Sequence, residues 1–164
     1  MDRQIRELLA ERAIRRVLYV YCRGVDRMDA ELMRSIYHPD GIDEHSARYN
    51  GPGAGFADYI LKGFRAAGYV STSHQVTNCL IEFDGEDRAS VESSFVAAQS
   101  TDSDILWMIG RYLDVFEERE GEWKILHRRV VHDMNWVTHL EQAFPPADFL
   151  TGRQDREDPS YSLR

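Results

Sequence analysis

Apolar residues recur at helical spacing through the first third of the chain and at alternate positions through most of the remainder. This single change of period limits the fold more than any motif does. Over residues 3 to 28, Ile5, Leu8, Leu9, Ala13, Val17, Val20 and Tyr21 fall three or four apart, as in a long amphipathic helix. That helix is expected to end between Gly24 and Asp29. AELMRSIYH then makes a shorter helix, closed by Pro39, Asp40 and Gly41. The glycine-rich stretch 41 to 55 predicts turns, with one short strand around Glu44 to Tyr49, before Phe56 to Ala67 resumes helical spacing. From Ser73 the segments SHQVTNCLIEF, ASVESSFVAAQS, ILWMIGRYLDVFEE and EWKILHRRVVHDMNW predict four strands. Asp84-Gly85 and Glu120-Gly121 predict antiparallel hairpins, and helices followed by a run of strands predict an α+β fold.

At 164 residues the chain is expected to form one domain, residues 1–140, followed by a proline-bearing polar arm or loose end over 141–164. Twenty basic against 28 acidic residues give a net charge of -8, which opposes binding to nucleic acid or to anionic lipid. No apolar run approaches the roughly 18 residues of a membrane span, and the N-terminus lacks the apolar core of a secretion signal. Cys22 and Cys79 each sit in an apolar segment, consistent with two buried thiols in a reducing cytoplasm. Without a GxGxxG fingerprint or a Walker loop, nucleotide cofactors have no motif support.

Strand alternation places His74 with Val76, Asn78 and Leu80 on one face. In the last strand it groups Leu126, Arg128, Val130, His132, Met134 and Trp136, and in the third it groups Met108, Gly110 and Tyr112. Tyr21 and Asp26, at the end of the first helix, are placed to meet the open mouth of a sheet packed over it. A carboxylate beside an imidazole fixes the ring's tautomer and stabilises its charged form, so Asp26 with His74 would make a general base. Each residue also has a structural reading: Asp26 at a helix end, His74 hydrogen-bonded in a core or at an edge, Arg128 paired with an acid in an oligomer interface. By their residue types Tyr112, Met108 and Trp136 are expected to pack in the core rather than to touch substrate. His38, His45 and His139 fall in loop-like or terminal contexts, where exposure is expected. A metal held by His74, His127, His132 and Asp26 lacks the spacing of known ligand motifs, and no GxSxG elbow is present for serine chemistry.

From about Ala13 to Trp136, the segments AIRRVLYVYCRGVDRMD, ARYNGPGAGFADYI, SHQVTNCLIEF, DVFEEREGEWKI and RRVVHDMNW together resemble the SnoaL-like branch of the NTF2-like superfamily. The resemblance implies a cone-shaped α+β barrel, a curved, mostly antiparallel sheet packed on N-terminal helices. It is nearest the group of hexachlorocyclohexane dehydrochlorinase, bile acid 7α-dehydratase and scytalone dehydratase. That group implies a cofactor-free, metal-free lyase or isomerase in which His74 is the base and Asp26 orients it. Tyr21 falls on the dehydratase tyrosine and stands where the dehydrochlorinase has lysine. Arg128 falls on the dehydrochlorinase's pocket arginine, and His132 replaces the bile acid dehydratase's arginine. Arg128 and His132 are thereby implied to lie inside the cone. His74, Asp26, Tyr21 and Arg128 become the catalytic candidates, with His132, Tyr112, Met108 and Trp136 as substrate contacts. The implied ligand is a small, mostly apolar, cyclic or polycyclic molecule, and the implied assembly a homo-oligomer, trimer or dimer. A non-catalytic binding protein and the small subunit of a ring-hydroxylating dioxygenase are the alternatives within the same fold.

Overall fold

The computed structural model describes residues 2–141 and 148–163. Asp2 caps the first helix by accepting a hydrogen bond from the Gln4 N–H at 3.0 Å, and α1 runs from Arg3 to Asp26. Its buried face carries Ala10, Ile14, Leu18, Tyr21, Cys22 and Val25. This face is rotated from the stripe expected from the sequence: Ile5, Leu8 and Leu9 are exposed, while Ala13, Val17 and Val20 flank the core. The helix is apolar on more than one side, so spacing alone does not choose the side that the sheet covers.

Asp29 caps α2 (Ala30–Ser35) through the Leu32 N–H. The helix is shorter than expected because Tyr37 and His38 already belong to β1 (Tyr37–His45), anchored where the Ile125 N–H donates to the Ile36 carbonyl at 2.8 Å. Pro39 is tolerated within that strand because pairing with its neighbour is interrupted between Tyr37 and Ile42, so its missing donor breaks no ladder bond. β2 (Tyr49–Pro52) and α3 (Gly53–Ala67) come next. The four long strands then appear in the predicted segments: β3 (Ser71–Phe83), β4 (Arg88–Ser100), β5 (Asp104–Arg119) and β6 (Glu122–His139). Glu120 and Gly121 both adopt positive φ, 55° and 81°, which gives the two-residue turn whose twist suits a β5–β6 hairpin.

The six strands form one open mixed sheet in the order β2-β1-β6-β5-β4-β3, with β1 parallel to β6 and every other pairing antiparallel. The three helices pack against this curved sheet to make a cone.

Three irregularities decide which side chains enter the cone, because one extra residue switches a strand's alternation. In β3 the register shifts between Thr77 and Leu80, with Asn78 at φ 43°. Thr72, His74 and Val76 therefore point inward before the shift, and Cys79, Ile81 and Phe83 after it, so Asn78 and Leu80, expected to share the face of His74, lie exposed on the other. In β6, Ile125 pairs with Phe116 and His127 with Val115, which leaves Leu126 as the extra residue and out of the Arg128 set. Asp133 is the extra residue between His132 and Met134, sending Met134 and Trp136 to the opposite face from His132.

Of the expected arm, residues 142–147 lie outside the described residues. Residues 148–163 return to the α1–α2 corner. Arg27 pairs with buried Asp158 at 3.1 Å, and Asp29 accepts from Arg156 at 3.0 Å and from the Tyr161 hydroxyl at 2.6 Å.

Candidate active site

Asp26 is the last residue of α1, and His74 lies on the inward face of β3, close enough for the two to meet. The carboxylate receives the His74 backbone N–H on Oδ2 at 3.0 Å and sits 2.7 Å from His74 Nδ1 through Oδ1. Thr72 donates to the same Oδ1 at 3.3 Å. Backbone and side chain of one residue thus grip one carboxylate, which fixes the ring's orientation. The His74 side chain is only 7% exposed. Nε2 has no hydrogen-bond partner among the described residues, and the ring lines a cavity of about 220 Å³.

That cavity is walled mainly by apolar and aromatic groups: Val25 from α1, Phe56, Ile60 and Phe64 from α3, Phe95 from β4, Met108 and Tyr112 from β5, and Val130 from β6. Tyr21, Gln99 and His132 add polar atoms to it. Phe95 stacks on Tyr112 at 4.5 Å and meets His132 edge-on at 6.0 Å, while Tyr21 meets Tyr112 edge-on at 5.6 Å. Burial raises the Tyr21 phenol well above its ordinary value, outweighing the opposing pull of Arg128, so its hydroxyl remains a proton-bearing donor.

Of the residues singled out in the sequence, His74, Tyr21, His132, Tyr112 and Met108 line this cavity, and Asp26 holds His74 from behind. Two residues stand elsewhere. Arg128 is inside the cone but fully buried and does not line the cavity. It forms a bidentate pair with Asp114, at 2.8 and 2.7 Å, and its guanidinium lies 4.4 Å from the Tyr21 ring centroid and 4.2 Å from that of Tyr112. Burial opposes its charge, but the Asp114 carboxylate prevails and holds it protonated. Trp136, 41% exposed, stacks on Trp107 at 5.8 Å and contributes nothing to the cavity wall, since the Asp133 bulge turns it outward. The residues of the considered metal site do not converge either: His127 lies 3.4 Å from Glu44, away from the cavity that His74 and His132 line. No described helix is long and apolar enough to cross a membrane.

Two histidines expected in exposed loops are not there. His38 is buried, its Nε2 2.9 Å from the Glu117 carbonyl oxygen. His45 ends β1 and lines the same cavity as His74, with its Nδ1 bonded to Asp43 and its ring stacked on Phe56 at 4.1 Å. The sequence signal for it is the DEH alternation, which puts Asp43 and His45 on one face of a strand. The glycines around that segment mask the signal, because they favour turns.

Residues 6–129 match the SnoaL-like domain. The chain belongs to the SnoaL-like family. Among curated proteins none matches it. Solved structures with this SnoaL-like cone include a provisionally assigned scytalone dehydratase from Novosphingobium aromaticivorans, 23% identical, with a TM-score of 0.73 over 90% of this chain and 99% of that one. The hexachlorocyclohexane dehydrochlorinase LinA-type3 from Novosphingobium barchaimii is 18% identical, with a TM-score of 0.74 over 87% and 99%. The β subunit of a provisionally assigned aromatic-ring-hydroxylating dioxygenase from N. aromaticivorans is also 18% identical, with a TM-score of 0.65 over 78% and 92%. At these identities the likeness establishes the shared fold, and the dehydratase and dehydrochlorinase superpose over more of the chain than the dioxygenase subunit does.

Proposed function

We propose that the cavity is the active site of a cofactor-independent lyase or isomerase that takes a proton from carbon in a small, mostly apolar cyclic molecule. The observation that carries this reading is the 2.7 Å contact between Asp26 and His74 Nδ1 in the wall of an apolar cavity. With Nδ1 committed to the carboxylate, Nε2 is the basic atom left to face a ligand. Asp26 then balances the imidazolium formed when the proton moves. Tyr21, kept protonated by burial, donates a hydrogen bond to the oxygen on which negative charge develops. Arg128 acts through Tyr21 and Tyr112, whose faces it touches, rather than on the ligand itself. His132, Tyr112 and Met108 shape the ligand's place, and a cytoplasmic homo-oligomer completes the reading.

A probe that needs only a base tests the assignment. Nitrobenzisoxazole opens when a single carbon-bound proton is removed, and its phenolate product is coloured. The wild type is expected to accelerate the opening, and His74→Ala to lose most of that rate with an unchanged melting profile. Asp26→Asn should lose about a hundredfold, in the usual range for positioned acid–base groups. Equal rates in wild type and His74→Ala would leave the non-catalytic reading, in which the same cavity only binds.

A further inference from the structure

We infer that His45, held by Asp43, is a second acid–base group of this cavity and delivers a proton to an oxygen atom leaving the substrate. The inference rests on the proton-abstraction reading above and adds the other half of an elimination.

The two imidazoles come from nearly opposite ends of the sheet. β1 and β3 are separated by β6, β5 and β4, a span of about 19 Å if the sheet were flat. Curvature brings both rings to one cavity. The arrangement around each is parallel: a carboxylate engages Nδ1, and Nε2 has no hydrogen-bond partner among the described residues. Phe56 stacks on the His45 ring and limits its tilt.

The surroundings differ in a way that assigns the roles. Asp43 is fully buried, and the Tyr37 hydroxyl donates to its other oxygen. Burial raises the Tyr37 phenol well above its ordinary value, so the tyrosine supplies a hydrogen bond but no charge. Across the sheet Asp43 pairs in register with Arg128, which in turn pairs with Asp114. This buried row therefore holds two carboxylates and one guanidinium. In the proposed acid form His45 supplies the row's second positive group, and uncompensated buried charge is costly. The other titratable or charged side chains in the cavity wall are His74, His132, the exposed Arg48 and the phenols of Tyr21, Tyr59, Tyr69 and Tyr112. His74 has no comparable row behind it: Asp26 is met by Thr72 and the His74 backbone.

In the elimination, His74 Nε2 takes a proton from the carbon beside a carbonyl, and the released electron pair forms the carbon–carbon double bond. The bond from the next carbon to its hydroxyl oxygen breaks, and His45 Nε2–H protonates that oxygen, so water departs. The rings finish in exchanged protonation states and reset through solvent. A carboxylate leaving group needs no such proton, which separates the two histidines experimentally.

The experiment compares β-hydroxycyclohexanone with β-acetoxycyclohexanone, both of which yield cyclohexenone. His45→Gln and Asp43→Asn are expected to slow the hydroxy ketone about a hundredfold and the acetoxy ketone less than about threefold. His74→Ala slows both. In protein labelled with 15N-histidine, the His45 ring, assigned through His45→Gln, should show an Nδ1–H engaged with Asp43, and Asp43→Asn should displace that resonance. Equal slowing of both ketones by His45→Gln, wild-type turnover of the acetoxy ketone alone or of neither, or a His45 Nδ1 resonance unmoved by Asp43→Asn would overturn the inference. Each of these leaves the His74 assignment to the nitrobenzisoxazole assay, which requires no acid.

Discussion

Asp114→Ala strips the one carboxylate that, among the described residues, bonds directly to a guanidinium with no access to water. Arg128 is fully buried, and two of its nitrogens are committed to Asp114, at 2.8 and 2.7 Å. Nη1 already lacks a hydrogen-bond partner among the described residues. The faces of Tyr21 and Tyr112, 4.4 and 4.2 Å away, offer weak attraction in place of a carboxylate. Removing one member of such a pair typically costs about 3–5 kcal/mol, because the remaining charge is left uncompensated. For a chain of this size that corresponds to a fall in Tm of about 6–20 °C. Urea unfolding monitored by tryptophan fluorescence, with calorimetry for Tm, measures the loss. The double variant Asp114→Leu with Arg128→Met should recover most of it, since well-packed apolar replacements for buried ion pairs are often neutral or stabilising. A single-variant loss below about 1 kcal/mol, or a double variant as unstable as the single, would refute the claim that the missing charge balance sets the cost.

Tyr21→Phe should reduce kcat on a turned-over ketone by about a hundredfold with little change in Tm, as it removes one donor and no packing. Because burial raises the phenol's titration, the alkaline limb of the pH–rate profile should persist in that variant. Gly110→Ala should destabilise by about 1–3 kcal/mol, the usual cost of overpacking, and narrow the cavity. A methyl there would meet the Val131 carbonyl at 2.1 Å and the Phe95 ring at 2.8 Å, and Phe95 is a cavity wall. The Arg153 N–H, the Ser160 hydroxyl and Arg27 hold the Asp158 carboxyl well below the usual range. Its folded value is the lower one, so its support for C-terminal docking is complete above about pH 4 and is lost only as pH falls through that depressed value. Asp158→Ala should free residues 148–163 at neutral pH, read as faster amide exchange there.

The order and type of the long elements are legible in the sequence. A helical period ending near Asp26 and four alternating segments become α1 and β3 to β6, and Glu120-Gly121 marks a hairpin because only a few residue types accept its backbone. The meeting of Asp26 with His74 is reached through resemblance, since their spacing in the chain carries no distance. What the sequence does not contain in readable form is the count of residues facing each other across the sheet. Extra residues at Asn78, Leu126 and Asp133 switch the alternation, turning Leu80 and Trp136 away from the cone and keeping Arg128 and His132 inside it. A bulge is fixed by the partner strand as much as by its own residues, so no reading of one segment could place it. Sheet curvature likewise brings His45 across to the cavity of His74, and pairing between β1, β6 and β5 sets Asp43, Arg128 and Asp114 in one buried row. The sequence determined which groups were available and which strand each would ride; tertiary structure decided which of them share a cavity, because that depends on distances that local periodicity does not encode.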